Sequence, residues 1–180
     1  MATLIHRFLA SSLLLSGLLI ISSLSAQTLQ IDSLKANYLE GFIDFVWRDG
    51  KELPTPTHVG VVGDSDMASL LVNLSKSSSN KRAIIVSQIA MEDFIHASTC
   101  GYDLIFVGSG HKKNWPQFFE QTSTCRALIV GEEKGFIKAG GTIELIVLKN
   151  RLRFCVDNSK LNEQGIKLSS KLLELAIEQP

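Results

Sequence analysis

A glycine-rich loop with two lysines is the segment of this sequence best suited to binding chemistry. Its residues are Gly108, Ser109, Gly110, His111, Lys112 and Lys113. Backbone N–H groups at a turn between a strand and a helix, with lysines beside them, can hold a phosphate or a carboxylate. The segment has neither the Walker spacing nor the G-x-G-x-x-G pattern. An ordinary turn is the simpler interpretation, and an anion-binding loop is the alternative.

Histidine and cysteine supply the other candidates for catalysis or metal binding. His96 and Cys100 are four residues apart and could share a helix face, where a metal would also need Glu92 or Asp93. The same pair could instead act as a base and a nucleophile. Two ligands do not complete a metal site, and no serine lies in a G-x-S-x-G elbow. We therefore expect no metal site, no cofactor and no enzymatic activity.

Composition limits the class of protein. The chain has 180 residues, of which 45% are hydrophobic and 20% charged, so it has enough apolar surface to fold as one domain. Eighteen basic residues balance eighteen acidic ones. Such a balance does not predict nucleic-acid binding, which usually requires a basic surface.

The first 26 residues have the pattern of a secretory signal peptide. His6 and Arg7 precede an apolar run from Phe8 to Leu24, and small residues up to Ala26 suit cleavage after Ser25 or Ala26. An uncleaved membrane anchor is the alternative. We therefore expect a domain of residues 27–180 in the periplasm, where cysteines can form disulfide bonds.

The segment that follows predicts a helix and then an irregular stretch. From Asp32 to Trp47, apolar residues recur at helical spacing, and Asp32 or Ser33 can cap the first turn. Gly50 and the prolines from Arg48 to Thr57 favour irregular structure.

The middle of the chain alternates between apolar runs and helical patterns. Continuous apolar runs are typical of parallel strands that are covered on both faces. The predicted strands are His58–Gly63, Arg82–Ser87, Asp103–Val107 and Arg126–Val130. The predicted helices between them are Met67–Leu74, Met91–Ala97 and Trp115–Gln121. This alternation predicts a mainly parallel sheet flanked by helices.

The last third predicts a different arrangement. Thr142–Leu148 and Leu152–Val156 are two strands joined by a tight turn, which indicates an antiparallel hairpin. Ser169 or Ser170 can cap a terminal helix that buries Leu172, Leu173 and Ala176. The fold class is therefore α/β, a single domain with a mainly parallel sheet, a C-terminal antiparallel hairpin and a terminal helix.

The three cysteines allow a geometric prediction. Cys100 and Cys125 each precede a predicted strand, so in neighbouring parallel strands both lie at the amino edge of the sheet. Counted back from Gly108 and Gly131 they differ by two residues, roughly 7 Å along a strand. A bend in either loop brings them within disulfide distance. Cys155 is then left as a buried thiol or as a partner for another chain.

Two segments of the sequence resemble the YfiR family of secreted bacterial proteins. One is the first helix, with Lys35-Ala36, Tyr38-Leu39, Phe42 and Phe45-Val46. The other is the tail, from Ala139-Gly140-Gly141-Thr142-Ile143 through Arg153-Phe154 to Leu172-Leu173 and Leu175-Ala176. The strands between them agree in order, so that the resemblance spans nearly all of residues 33–178.

The resemblance implies a non-enzymatic regulator in the periplasm. Such a protein binds the periplasmic part of an inner-membrane diguanylate cyclase and represses it, which lowers cyclic di-GMP and biofilm formation. Related domains are sensory inputs of histidine kinases, so another sensor protein is also a possible partner. The alternative function is a small-ligand-binding or sensory module that uses the loop from Gly108 to Lys113. A homodimer is compatible with either function.

Overall fold

A computed structural model describes residues 30–77, 82–97 and 100–178. Lys35–Pro180 forms one compact unit. The predicted signal peptide lies outside the described residues. Within the ranges described, no helix is both long enough and apolar enough to cross a membrane.

The first helix, α1, covers residues 30–44, so it begins before the predicted start at Asp32 and ends before the predicted end at Trp47. Val46–Arg48, which the prediction included in the helix, is strand β1. The helical apolar pattern continues into this segment, but its backbone pairs instead with β9, Ile166–Leu168. The side chain of Phe45, predicted on the apolar face of the helix, is therefore 44% exposed.

A small antiparallel sheet, with strand order β2-β1-β9, was not predicted. β2 is Lys51–Glu52, inside the stretch predicted to be irregular. Asp49 and Gly50 both have positive φ angles, 52° and 76°, and connect β1 to β2 by a two-residue turn. Asp-Gly is a typical sequence for such a turn, because both positions tolerate positive φ.

The main sheet has the predicted mixed topology. Its strands are β3 (Thr57–Val62), β4 (Ile84–Ile89), β5 (Leu104–Val107), β6 (Leu128–Gly131), β7 (Ile143–Leu148) and β8 (Arg151–Val156). The order is β4-β3-β5-β6-β7-β8, parallel from β4 to β7. β8 pairs antiparallel with β7 through a turn at Lys149 and Asn150, both at positive φ. The α/β fold class is confirmed.

Helices connect the strands and cover both faces of the sheet. They are α2 (Ser65–Ser77), α3 (Met91–His96), α4 (Trp115–Thr122), α5 (Phe136–Ala139), α6 (Asn158–Glu163) and α7 (Ser170–Leu173), with a 3₁₀ turn at Lys112–Asn114. Ser169 caps α7 by accepting a hydrogen bond from Leu172 N at 3.2 Å. Only Leu172 is buried on this four-residue helix. Leu173 is 38% exposed, so its predicted burial was wrong.

Two apolar clusters hold the helices against the sheet. One contains α1 and α2, and its centre includes Phe42 and Phe154, whose rings lie 5.2 Å apart. The other contains α3, α4 and α5, where Phe118 contacts Phe94 with a centroid distance of 5.1 Å. The strands are buried on both sides by these clusters, which explains their continuous apolar runs.

A partly buried ion pair joins the small sheet to the main sheet. Arg48 of β1 donates to Asp103 Oδ1 at 3.0 Å and to Asp103 O at 3.2 Å. The other carboxylate oxygen, Asp103 Oδ2, accepts from His58 N at 2.9 Å. Asp103 therefore ties β1 to the amino ends of β3 and β5.

Candidate functional site

The carboxyl edge of the main sheet is where binding sites occur in folds of this kind. The chain passes from β3 to β4 on one side and then returns to β5 on the other, so the connection reverses between β3 and β5. Ligands of open α/β sheets bind at this switch point, outside the carboxyl ends of the strands. The loops after β3, β5 and β6 all meet there.

Side chains of the protein itself occupy the switch point. Gly63 has φ +74°, and His111 Nε2 lies 2.2 Å from where a Cβ on that glycine would stand. His111 Nε2 donates a hydrogen bond to Gly63 O at 3.2 Å. A Cβ on Gly108 would stand 2.8 Å from Asp64 Cβ. Asp64 Oδ1 accepts from Met67 N at 2.9 Å and caps α2. The two loops therefore pack directly against each other.

The predicted anion-binding loop holds carboxylates from the next loop of the same chain. Ser109 N donates to Glu132 Oε1 at 2.9 Å, and Gly110 N donates to Glu133 Oε2 at 3.1 Å. Glu132 also forms an ion pair with Lys35 of α1, with 2.6 Å between Nζ and Oε2. The geometry thus fits carboxylate recognition, and the carboxylates present are internal.

The two lysines of the Gly108–Lys113 loop differ in their contacts. Lys112 Nζ donates to Lys134 O at 3.1 Å and lies 5.2 Å from the ring centroid of Trp115. Lys112 and Lys113 are both exposed, and Lys112 contacts the loop after β6 through Lys134 O.

Glu144 shapes the loop that carries the two internal carboxylates. It is 4% exposed and accepts hydrogen bonds from Gly135 N, at 3.1 and 3.2 Å, and from Ile137 N at 3.2 Å. A buried carboxylate needs such partners to offset its desolvation. Sequence reasoning missed Glu132, Glu133 and Glu144, although the first two follow the glycine that ends β6, at the same edge as the predicted loop.

A disulfide bond joins Cys100 and Cys125 at the opposite, amino edge of the sheet. Their Cα atoms are 5.0 Å apart, within the range for a disulfide. Cys100 is exposed and Cys125 is buried. The disulfide occupies Cys100 Sγ, which would have to be free for Cys100 to bind a metal or to act as a nucleophile with His96 as its base. No group of three or more His, Cys, Asp or Glu side chains in the described ranges is placed to hold a metal ion.

Cys155 is a buried thiol on β8. Its Sγ donates to Glu178 O at 3.7 Å. Burial raises the pKa of this thiol, and the nearby charge of Glu144 raises the pKa further. Cys155 therefore stays protonated at neutral pH and is poorly placed to pair with another chain.

An open groove lies beside the β7–β8 hairpin. We call it the hairpin groove; its volume is about 520 Å³. It is lined by Leu148, Lys149, Arg151, Arg153 and Ile177. Leu148 is 41% exposed, and neighbouring Val147 is 48% exposed. The groove thus combines uncovered apolar surface with three cationic side chains.

Solved structures with similar folds support the α/β architecture. The ABC domain of Streptococcus pneumonia, in complex with L-Trp, has a TM-score of 0.53 at 13% identity, covering 67% of this chain and 55% of that one. A conserved domain protein from Vibrio cholerae has a TM-score of 0.56 at 11% identity, covering 81% of this chain and 58% of that one. The chain thus spans little more than half the length of these structures, and at such identities they show the fold alone.

Sequence comparison identifies the family. No curated protein matches the chain. A family model described as YfiR/HmsC-like matches residues 32–177, which includes α1 except its first two residues, both sheets and all the loops described above. The chain therefore belongs to the YfiR/HmsC-like family.

Proposed function

We propose that this protein is an exported periplasmic regulator that binds the periplasmic part of an inner-membrane diguanylate cyclase and represses it. Membership of the YfiR/HmsC-like family is the observation that carries this proposal. The signal-peptide pattern of residues 1–26, with its apolar run from Phe8 to Leu24, supports export. Repression lowers cyclic di-GMP and biofilm formation.

The hairpin groove is the surface on which we place the cyclase. Protein interfaces combine an exposed apolar centre with a polar or charged rim, and arginine is common among the residues that dominate binding energy. Leu148 and Ile177 supply the apolar part, while Lys149, Arg151 and Arg153 supply positive charge. The expected partner surface is apolar and acidic.

The hairpin is a rigid support for this surface. Six cross-strand pairs join β7 to β8, from Ile143 and Val156 to Leu148 and Arg151. Ile177 N donates to Phe154 O at 2.9 Å, which fixes the C-terminal segment beside β8. Little ordering entropy is then lost when a partner binds.

A charge inside the hairpin groove tests this proposal. Leu148→Asp introduces a carboxylate where an acidic and apolar partner would contact the protein, and we expect capture of the cyclase from membranes to fall roughly tenfold or more. Cellular cyclic di-GMP should rise accordingly. The matched control is Phe45→Asp, which introduces the same charge at a similarly exposed apolar side chain, 44% against 41%, outside the groove.

Two results would contradict the proposal in different ways. Equal capture of the cyclase by the wild type and Leu148→Asp would reject the hairpin groove as the interface. Deletion of the whole gene without any rise in cyclic di-GMP would reject repression of a cyclase.

A further inference from the structure

The β7–β8 hairpin projects beyond the rest of the main sheet. β6 ends at Gly131, which pairs with Glu144 of β7, whereas β7 continues to Leu148 and pairs there with β8. Four residues of β7 therefore extend past the carboxyl end of β6. At the usual rise of a strand they span roughly 13 Å. The turn at Lys149 and Asn150 lies at the far end of this projection.

The end of the hairpin exposes apolar side chains on both of its faces. We call residues 147–151 the hairpin tip. Val147 is 48% exposed and Leu148 is 41% exposed. Consecutive residues of a strand point to opposite faces, so these two side chains lie on opposite sides of the hairpin. Nearer the sheet, Leu145 is 1% exposed and Leu152 is 6% exposed, so the cover that the apolar core provides ends before the tip.

The same tip is basic. Lys149 in the turn and Arg151 at the start of β8 are exposed, and Arg153 follows two residues later. No acidic residue occurs between Leu145 and Val156. Lysine and arginine beside exposed apolar groups are a combination that binds anionic lipids, because the cations contact the headgroups while the apolar groups enter the layer below them.

We propose that the hairpin tip inserts into the surface of an anionic lipid bilayer. A protein docked in the hairpin groove covers Leu148 but leaves Val147, on the opposite face, in water. A bilayer surrounds a projecting tip and covers both side chains at once, while Lys149 and Arg151 contact lipid phosphates. Exposed apolar side chains on two faces of one basic projection therefore favour a lipid surface over a second protein contact.

Lipid binding is independent of the proposed function and compatible with it. The tip shares Leu148, Lys149 and Arg151 with the hairpin groove, while Arg153 and Ile177 of the groove lie outside the tip. A tip held in lipid would place the rest of the groove beside the membrane that contains the cyclase. Vesicles contain no cyclase, so failure to bind them would reject this inference and leave the proposed repression unaffected.

Sedimentation with vesicles tests the charged part of the inference on the exported protein with its disulfide intact. Vesicles of phosphatidylcholine and phosphatidylglycerol in equal parts should bind the protein, and phosphatidylcholine alone should bind it much less. One Lys or Arg at an anionic surface contributes about fivefold in affinity, so Lys149→Gln should weaken binding about fivefold. The matched control Lys171→Gln, which changes an exposed lysine of α7, should bind like the wild type.

Val147→Asp tests the apolar part and separates lipid binding from binding of the cyclase. A carboxylate at the tip removes buried apolar surface and adds repulsion, so vesicle binding should weaken roughly tenfold or more. The control Phe45→Asp makes the same change at a side chain that is 44% exposed, just before β1, and should bind vesicles normally. Because Val147 does not line the hairpin groove, capture of the detergent-solubilised cyclase by Val147→Asp should be unchanged.

Tryptophan at the tip reports insertion directly. Val147→Trp and Leu148→Trp place the ring on opposite faces of the hairpin. With anionic vesicles the emission of both variants should shift to shorter wavelength, relative to the wild type with Trp47 and Trp115, and Phe45→Trp should show no such shift. A shift in only one tip variant, no binding to anionic vesicles, or equal weakening by Val147→Asp and Phe45→Asp would overturn the inference.

Discussion

At the scale of single residues, the predicted binding loop is closed by carboxylates of the same protein. Ser109 N and Gly110 N hold Glu132 and Glu133, and Lys35 neutralises part of this charge. Hydrogen bonds between an N–H and a carboxylate are stronger than neutral ones. An external phosphate or carboxylate must therefore displace at least one glutamate before it can bind to the loop.

This competition between the internal glutamates and an external anion predicts how substitutions of a glutamate or of the loop lysines change phosphate binding. If the loop binds anions, Glu133→Gln should tighten the binding of inorganic phosphate several-fold, because it removes a competing negative charge beside Gly110 N. Lys112→Ala with Lys113→Ala should weaken phosphate binding. Isothermal titration calorimetry on the disulfide-bonded protein measures both effects.

The matched control for this experiment is Glu163→Gln, an exposed glutamate on α6. It makes the same change of charge away from the loop and should leave phosphate affinity unchanged. The same phosphate affinity in all three variants would remove the loop from consideration and would leave it as an ordinary strand-to-helix turn.

At the scale of elements, the disulfide fixes the connection from β5 through α4 to β6. Cys100 and Cys125 are 25 residues apart in sequence and stand just before neighbouring parallel strands. The bond limits the freedom of this connection in the unfolded chain, which is the main way in which a disulfide stabilises a protein. α4 and its buried side chains Trp115 and Phe118 lie within the closed loop.

Removing the disulfide should lower stability markedly. For a loop of this length the chain-entropy relation gives roughly 3–4 kcal/mol, a large part of the stability of a typical domain. We expect Cys100→Ser with Cys125→Ser to lower the melting temperature by roughly 10 °C. Calorimetry in the absence of reductant checks this, and reductant should produce the same shift in the wild type.

Cys155, which is not in the disulfide, provides the internal control for the effect of the Cys100 and Cys125 substitutions on the melting temperature. Its buried thiol, whose pKa is raised mainly by burial, should not react with an alkylating reagent in the folded protein. Cys155→Ser should change the melting temperature much less. Rapid alkylation of Cys100 or Cys125 in the untreated protein would contradict the disulfide.

If the proposed repression holds, the variant Cys100→Ser with Cys125→Ser should also release the cyclase.

At the scale of the whole molecule, ion pairs connect the small sheet to the main sheet. The ion pair of Arg48 with Asp103 joins them where both side chains are largely buried, with 21% and 10% of each exposed. A second pair, Arg126 with Asp49, spans the same region at the surface, with 52% and 57% exposed. Hydrogen-bonded charges in the partly buried pair are costly to leave unpaired.

These two ion pairs provide a matched prediction. Arg48→Ala leaves Asp103 without its cationic partner and should reduce the free energy of unfolding by about 1–3 kcal/mol. Arg126→Ala removes an exposed contact and should have little effect, because solvent screens surface ion pairs. Urea unfolding measures both, and an equal loss in the two variants would contradict the role assigned to Asp103.

The exposed pair also has a defined pH dependence. The hydrogen bond from Arg126 lowers the pKa of Asp49 in the folded protein below its ordinary value. The small stabilisation from this pair is therefore present above the ordinary pKa of an aspartate. It is lost as the pH falls through the lowered pKa of the folded state.

The sequence by itself determined the parallel strands, the hairpin and the family. Continuous apolar runs ending in glycine specify strands covered on both faces, and β3, β5 and β6 follow that pattern within two residues of the predicted bounds. The disulfide was predictable because two cysteines precede neighbouring strands at similar distances. These features depend on local pattern and on the order of elements along the chain.

Only the tertiary structure decided the small sheet and the partners of the binding loop. Val46–Arg48 continues a helical pattern along the sequence. It nevertheless forms a strand, because its backbone pairs with β9, about 120 residues later in the chain. Likewise, Glu132 and Glu133 reach Ser109 and Gly110 because β5 and β6 are neighbours in the sheet. Contacts between distant segments depend on how strands pair in space, and spacing along one chain does not contain that information.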